Sequence, residues 1–177
     1  FTVTVNAVND APTLNALSNL SLNENAAAQT ISLAGIGSGA ANESQTLVVT
    51  ATSSNPSLIP NPSVSYTSPS ATGSLSFTPA ADLNGTATIT VTVNDGQTAF
   101  TRTFTVTVSP VNNPPTLGAI SAVTINEDAT AQTVSLSGIG TGAVNETQPL
   151  TISATSSNPG LIPNPTVSYS SPSATGS

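Results

Sequence analysis

Phe1-Thr-Val-Thr-Val-Asn-Ala-Val-Asn-Asp-Ala-Pro-Thr-Leu14 returns, little changed, as Phe104-Thr-Val-Thr-Val-Ser-Pro-Val-Asn-Asn-Pro-Pro-Thr-Leu117. The offset is 103 residues. At that shift, residues 1–74 align with 104–177 without a gap, and 50 of the 74 positions are identical. A period this long is one whole domain per repeat, well beyond the ~20–50 residues of a solenoid coil. Residues 1–8 therefore read as the last strand of a preceding repeat, 9–111 as a complete repeat, and 112–177 as a second repeat lacking its last three strands. Residues 115–177 alone are not expected to fold stably. Their missing strands are expected from residues outside this sequence or from a neighbouring chain.

Working outward from the junction, the pattern is that of strands. Asn19–Asn23, Gln29–Leu33, Thr46–Thr52, Ser63–Thr67 and Ser74–Thr78 are short β-rich runs, bounded by Gly, Pro and Asn. Thr86–Val93 alternates most cleanly, with Ala87, Ile89, Val91 and Val93 on one face and Thr86, Thr88, Thr90 and Thr92 on the other. Asn94-Asp-Gly-Gln97 is a hairpin turn, after which Ala99–Val108 returns with Phe100, Phe104, Val106 and Val108 inward. Arg102 falls by count on that inward face. Either a bulge turns it out, or its stem lies along the core edge with its head paired. Gly35-Ile-Gly-Ser-Gly39 is a turn or bulge; no helix follows to make it a phosphate loop. Asn55-Pro-Ser-Leu-Ile-Pro-Asn-Pro62 is a Pro-punctuated crossover. Seven short strands with a turn signal about every ten residues give an all-β, Greek-key β-sandwich per repeat.

Composition narrows the chemistry. The 177 residues include no Cys, His, Met or Trp, and Arg102 is the single cation against eight acids, for a net charge of −7. Without His, Cys or Lys there is no Ser-His triad, thiol nucleophile, Schiff base or common zinc site. Nothing in the sequence places Asp82 and Asp95 together in a cleft, and no enzymatic activity is expected. One cation cannot neutralise a phosphate backbone, which excludes nucleic acid. No apolar run approaches the ~20 residues of a membrane span. The Thr rows on the late strands resemble a flat ice-binding array, but Thr pairs across strands also simply stabilise a sheet.

Phe77-Thr-Pro79, Leu83-Asn-Gly-Thr-Ala-Thr-Ile-Thr-Val-Thr-Val-Asn-Asp-Gly96, Thr101-Arg-Thr-Phe-Thr-Val-Thr-Val108 and the junction Val8-Asn-Asp-Ala-Pro12 together resemble the bacterial tandem Ig-like/cadherin-like repeats of large surface or secreted proteins. The resemblance implies tandem sandwiches, an extracellular or cell-surface location, adhesion or filament building, and calcium between domains. Its partners would be neighbouring repeats of the same or another copy of the chain, and surface glycans. Carried over residue by residue, Glu24 resembles the acid beside the first strand, and its copy is Glu127, followed by Asp128. Asn42-Glu43 and Asn145-Glu146 stand where the family has an acid pair. Asn9-Asp10 matches the linker, and Asn112-Asn113 is the second linker with its acid gone. Asp95 occupies the late turn. One junction could gather Glu24, Asp95, Asn112, Asn113 and Glu146, a weak site of three carboxylates plus amide oxygens. The same residues also read as solvated acids, Asx-turns and a turn-forming Asp. Three roles follow: a stalk, adhesin shaft or filament segment; a glycan-binding module, for which Tyr66 is the evident stacking candidate; or a fibre subunit in which strand 1–6 completes a neighbour.

Overall fold

The computed structural model describes residues 1–6 and 8–177. Seven strands follow in order: β1 (Leu20–Asn23), β2 (Gln29–Ala34), β3 (Val48–Ser53), β4 (Ser63–Ser65), β5 (Thr72–Phe77), β6 (Gly85–Asn94) and β7 (Ala99–Ser109). Each lies where the alternation places one, with ends moved by at most two residues. No helix occurs among the described residues. One sheet runs β1-β7-β6-β3 and the other β2-β5-β4. β1 runs parallel to β7, and the remaining pairs are antiparallel.

The chain divides into two units, Phe1–Val111 and Asn112–Ser177. In the first unit the inward positions of both sheets build one core. Ala87, Ile89, Val91 and Val93 from β6 meet Phe104, Val106 and Val108 from β7, with Leu33, Leu75 and Phe77 from β2 and β5. Each large apolar side chain fully buried contributes about 1.5–3 kcal/mol. The outward face of the β6–β7 pair carries the Thr rows, paired Thr86 with Thr107, Thr88 with Thr105, Thr90 with Thr103 and Thr92 with Thr101. Such pairs add about 0.2–1 kcal/mol each.

Two segments without strand pattern turn out to be structural. Leu58 and Ile59 of the Pro-rich crossover are buried with the strand residues. Asn55 holds them there through its carbonyl, which accepts the N–H groups of both. The Gly35–Gly39 run is a docking strip: Thr13 N–H donates to the Gly37 carbonyl at 2.9 Å, and Thr13 Oγ1 donates to the Gly35 carbonyl at 2.8 Å. Arg102 takes the second of its two alternatives. The β6–β7 register runs without a bulge. The guanidinium lies 4.9 Å from the Phe100 ring centroid, and its Nε donates to the Leu14 carbonyl at 3.2 Å.

Residues 1–6 join no ladder despite their alternation, and Phe1, Val3 and Val5 are exposed. Alternation defines two faces, but a strand also needs a neighbour to take its N–H and C=O groups. The second unit holds isolated bridges in place of strands among its described residues, Thr116 with Gly140 and Leu136 with Gly176. Both repeat, at the 103-residue offset, pairings of the first unit, Thr13 with Gly37 and Leu33 with Gly73.

Candidate functional site

The polar residues singled out by sequence gather at the two ends of the first unit. At one end, Glu24 follows β1. Its backbone N–H donates to the Ser109 carbonyl at 2.8 Å, and its Oε1 accepts the Val111 N–H at 2.9 Å. Glu24 is 4% exposed. A buried carboxylate is tolerable because N–H donors meet it. Here it holds the strand that is leaving the domain. Beside it, Asn25 and Asp82 exchange two hydrogen bonds: Asn25 Nδ2 donates to Asp82 Oδ1, and Asp82 N–H donates to Asn25 Oδ1, each at 3.0 Å. Both residues have left-handed backbones, which short polar side chains accept more readily than most.

At the other end, the linker preceding the domain is fastened. Asp10 N–H donates to Glu43 Oε1 at 2.7 Å, and Gln45 Nε2 donates to Asn9 Oδ1 at 2.7 Å. Asn9 Nδ2 in turn donates to Asp95 Oδ2 at 3.0 Å and to Thr98 Oγ1 at 3.1 Å. Asp95, 6% exposed, is the centre of this knot. Its Oδ1 accepts the N–H groups of Gln97 and Thr98 at 2.7 and 2.6 Å, and its Oδ2 also accepts the Thr98 hydroxyl at 3.0 Å. The Thr98 backbone N–H, then Asn9, hold its carboxyl well below the usual carboxylate range, against the upward pull of burial.

Because the folded pKa is depressed, this contribution is complete above the ordinary value near ~4 and fades as pH falls below it, towards the folded pKa. The stability gap between wild type and Asp95→Asn should therefore be widest at neutral pH and narrow below about pH 4. Urea unfolding followed by circular dichroism at several pH values checks this; a gap independent of pH would contradict it.

The second unit repeats the linker clamp. Asn113 N–H donates to Glu146 Oε1, and Gln148 Nε2 donates to Asn112 Oδ1 at 3.3 Å and to Glu146 Oε2 at 3.0 Å. This explains why the linker acid can be Asp10 in one copy and Asn113 in the other: the clamp uses the backbone N–H of that position, not its side chain. Glu127 and Asp128 are exposed, and Asp128 holds the left-handed turn position of Asn25. Asn145 lies in the turn closed by Glu146 N–H to the Ala143 carbonyl.

The resemblance groups Glu24 and Asp95 at one junction; the structure separates them. Glu24 pairs with the last residue of β7, while Asp95 sits just before the first. The 11 residues of β7 span about 35 Å, so one ion cannot take both. Parallel pairing of β1 with β7 is what carries Glu24 to the far end. Among the described residues, no three acidic side chains come together as a metal-binding group. The linker end offers Glu43 Oε2 and Gln45 Oε1, both buried without a hydrogen-bond partner. Both Asp95 oxygens are already taken by donors.

Local pattern did not reveal Gln45, Thr98 or Gly39 as part of this end. Gly39 has φ +107°, and a Cβ there would stand 2.6 Å from the Ala11 carbonyl and 2.8 Å from Asp10 Cβ. Spacing of the three glycines was the available signal, and it reads equally as a turn.

The sequence profile of the bacterial Ig domain matches residues 9–109. The chain belongs to the bacterial Ig domain family. That assignment fits the two sheets, the seven strands and the parallel β1–β7 pair. A search of curated protein sequences finds no match. Among solved structures, the bacterial Ig repeat is similar to a chimeric titin Z1Z2 carrying an exogenous decorin peptide, at 15% identity and TM-score 0.43, covering 59% of this chain and all of that one. It is also similar to domains 4 and 5 of the S-layer protein SbsC, at 19% identity and TM-score 0.40, covering 62% of this chain and 57% of that one. Titin z1z2 in complex with telethonin follows at 18% identity and TM-score 0.42, covering 64% of this chain and 55% of that one.

Proposed function

We propose that this bacterial Ig repeat is a structural segment of an extracellular stalk, adhesin shaft or filament, and that its work is to set reach and limit bending between neighbouring repeats. The observation that carries the reading is the double fastening of the connection. Glu24 grips Val111 from the first unit, and Glu146 grips Asn113 from the second. Between those anchors lies Asn112 alone, itself accepting from Gln148. A linker with one residue between fixed points has few backbone torsions left to rotate, and Pro114 and Pro115 follow it immediately. A surface rich in Thr, Ser and Asn adds solubility with little side-chain entropy to lose.

The test is local opening of the connection. Proteinase K should spare residues 109–114 in the wild-type chain, and Glu24→Ala with Glu146→Ala should speed cutting there by about tenfold, the equivalent of about 1.4 kcal/mol of local opening. Wild-type cleavage at this site as fast as in an unfolded peptide would reject the reading.

A second reading, calcium at the linker end, is favoured by the unpartnered Glu43 Oε2 and opposed by the filled Asp95. An ion there would draw its remaining oxygens from outside the unit or from water. Under this reading, added calcium raises the thermal midpoint and Glu43→Gln removes the rise; identical midpoints in calcium and in EDTA end it. The glycan reading is weaker, because Tyr66 packs against the core and its hydroxyl is buried.

A further inference from the structure

We propose that the first unit is built to carry tension along the chain, through a seam in which the entering segment, residues 9–24, is laced to β7 from end to end. The fasteners follow one another in register. Asn9 Nδ2 donates to Asp95 Oδ2 and Thr98 Oγ1, just ahead of β7. The Leu14 carbonyl accepts from Arg102 Nε at 3.2 Å. Asn19 Oδ1 accepts the Thr105 N–H at 2.8 Å. Leu20 to Asn23 then pair with Val106 to Ser109. Glu24 closes the row, its N–H on the Ser109 carbonyl and its Oε1 on the Val111 N–H.

The direction of the seam decides how it meets a load. The two segments run parallel. Tension enters at the start of one, near Asn9, and leaves at the end of the other, near Val111. It therefore slides them lengthwise past each other. Hydrogen bonds between paired strands lie across that motion, so many are loaded together and must fail together. An antiparallel pair pulled from a shared end would instead open one bond at a time. β7 is also held on its other side, by ten register pairs with β6.

The seam accounts for the placing of the one cation. Arg102 stands opposite Val91, a fully buried position of β6. Its guanidinium lies against the Phe100 ring and fastens the carbonyl of Leu14, a residue 3% exposed and packed in the core. That bond ties the seam to the core midway between the Asn9 knot and β1.

The stalk reading supplies the load, and the seam deepens it. Proteolysis at 109–114 tests that reading and is blind to the direction of a pull, so the two can fail separately. For the seam, the full chain is held at constant force between two introduced cysteines, which are unique because the chain has none. Val8→Cys with Pro115→Cys, both at exposed positions, loads the seam lengthwise and leaves 116–177 outside the path. Ala28→Cys, also exposed, with Pro115→Cys pulls on β7 from the end where Glu24 closes the seam and unzips it. At equal force the second geometry should open the unit at least about a hundredfold sooner. Asn9→Ala and Arg102→Met should each shorten the lengthwise lifetime by about fivefold or more and leave the unzipping lifetime unchanged. Equal lifetimes in the two directions overturn the proposal. So does a lengthwise lifetime that neither substitution alters, or one that both shorten equally in the two directions, since that is general loss of stability.

Discussion

Phe104→Ala should nearly unfold the first unit, while Phe1→Ala should leave its stability unchanged. The two residues occupy the same position of the repeat, in the same local sequence Phe-Thr-Val-Thr-Val. Phe104 is 2% exposed within β7, opposite Ile89 on β6. Truncating a buried Phe costs about 3–5 kcal/mol through lost transfer energy and the cavity left behind. That is a large part of the 5–15 kcal/mol available to a typical domain. Phe1 joins no strand and is fully exposed, so its truncation should stay within about 0.5 kcal/mol. Urea unfolding by circular dichroism measures both. Equal effects would mean that residues 1–6 pack in solution as β7 does.

Gly39→Ala should cost more than Gly96→Ala, although both glycines have left-handed backbones, at φ +107° and +91°. Either substitution meets about 1–3 kcal/mol of backbone strain. At Gly96 a Cβ has nothing within 4 Å, so the strain stands alone. At Gly39 the new carbon would collide with the Ala11 carbonyl and Asp10 Cβ. The linker must then lift, and the bonds from Asp10 to Glu43 and from Gln45 to Asn9 go with it, at about 1 kcal/mol each. Thermal midpoints rank the two variants, and proteolysis near residues 8–12 reports the lifted linker. Equal midpoints with an intact linker would show that the docking strip tolerates a methyl group.

Both expectations turn on contrasts that a one-dimensional reading cannot make. Phe1 and Phe104 each open the same run, Phe-Thr-Val-Thr-Val. What separates Phe1 from Phe104 is whether a strand lies alongside, as β6 does for Phe104. Gln45 and Thr98 belong to the linker knot only because the β6–β7 turn and the 43–45 segment arrive at the same end. Leu58 and Ile59 lie in a Pro-rich crossover with no strand alternation, yet the turn closed by Asn55 carries both into the core.

By itself the sequence determined the 103-residue repeat, the seven strands, the inward and outward faces of β6 and β7, and the lack of Cys, His and Lys. These are legible because alternation and turn signals act over a few neighbouring residues and because composition is a property of the whole chain. Only the tertiary structure decided that Glu24 and Asp95 serve opposite ends, that Gly39 makes room for a linker, and that the clamp uses a backbone N–H where the resemblance pointed to carboxylate ligands. Position along a sheet is set by which strand lies beside which and in what direction. The parallel β1–β7 pairing joins residues more than 80 positions apart, and no short-range pattern encodes it.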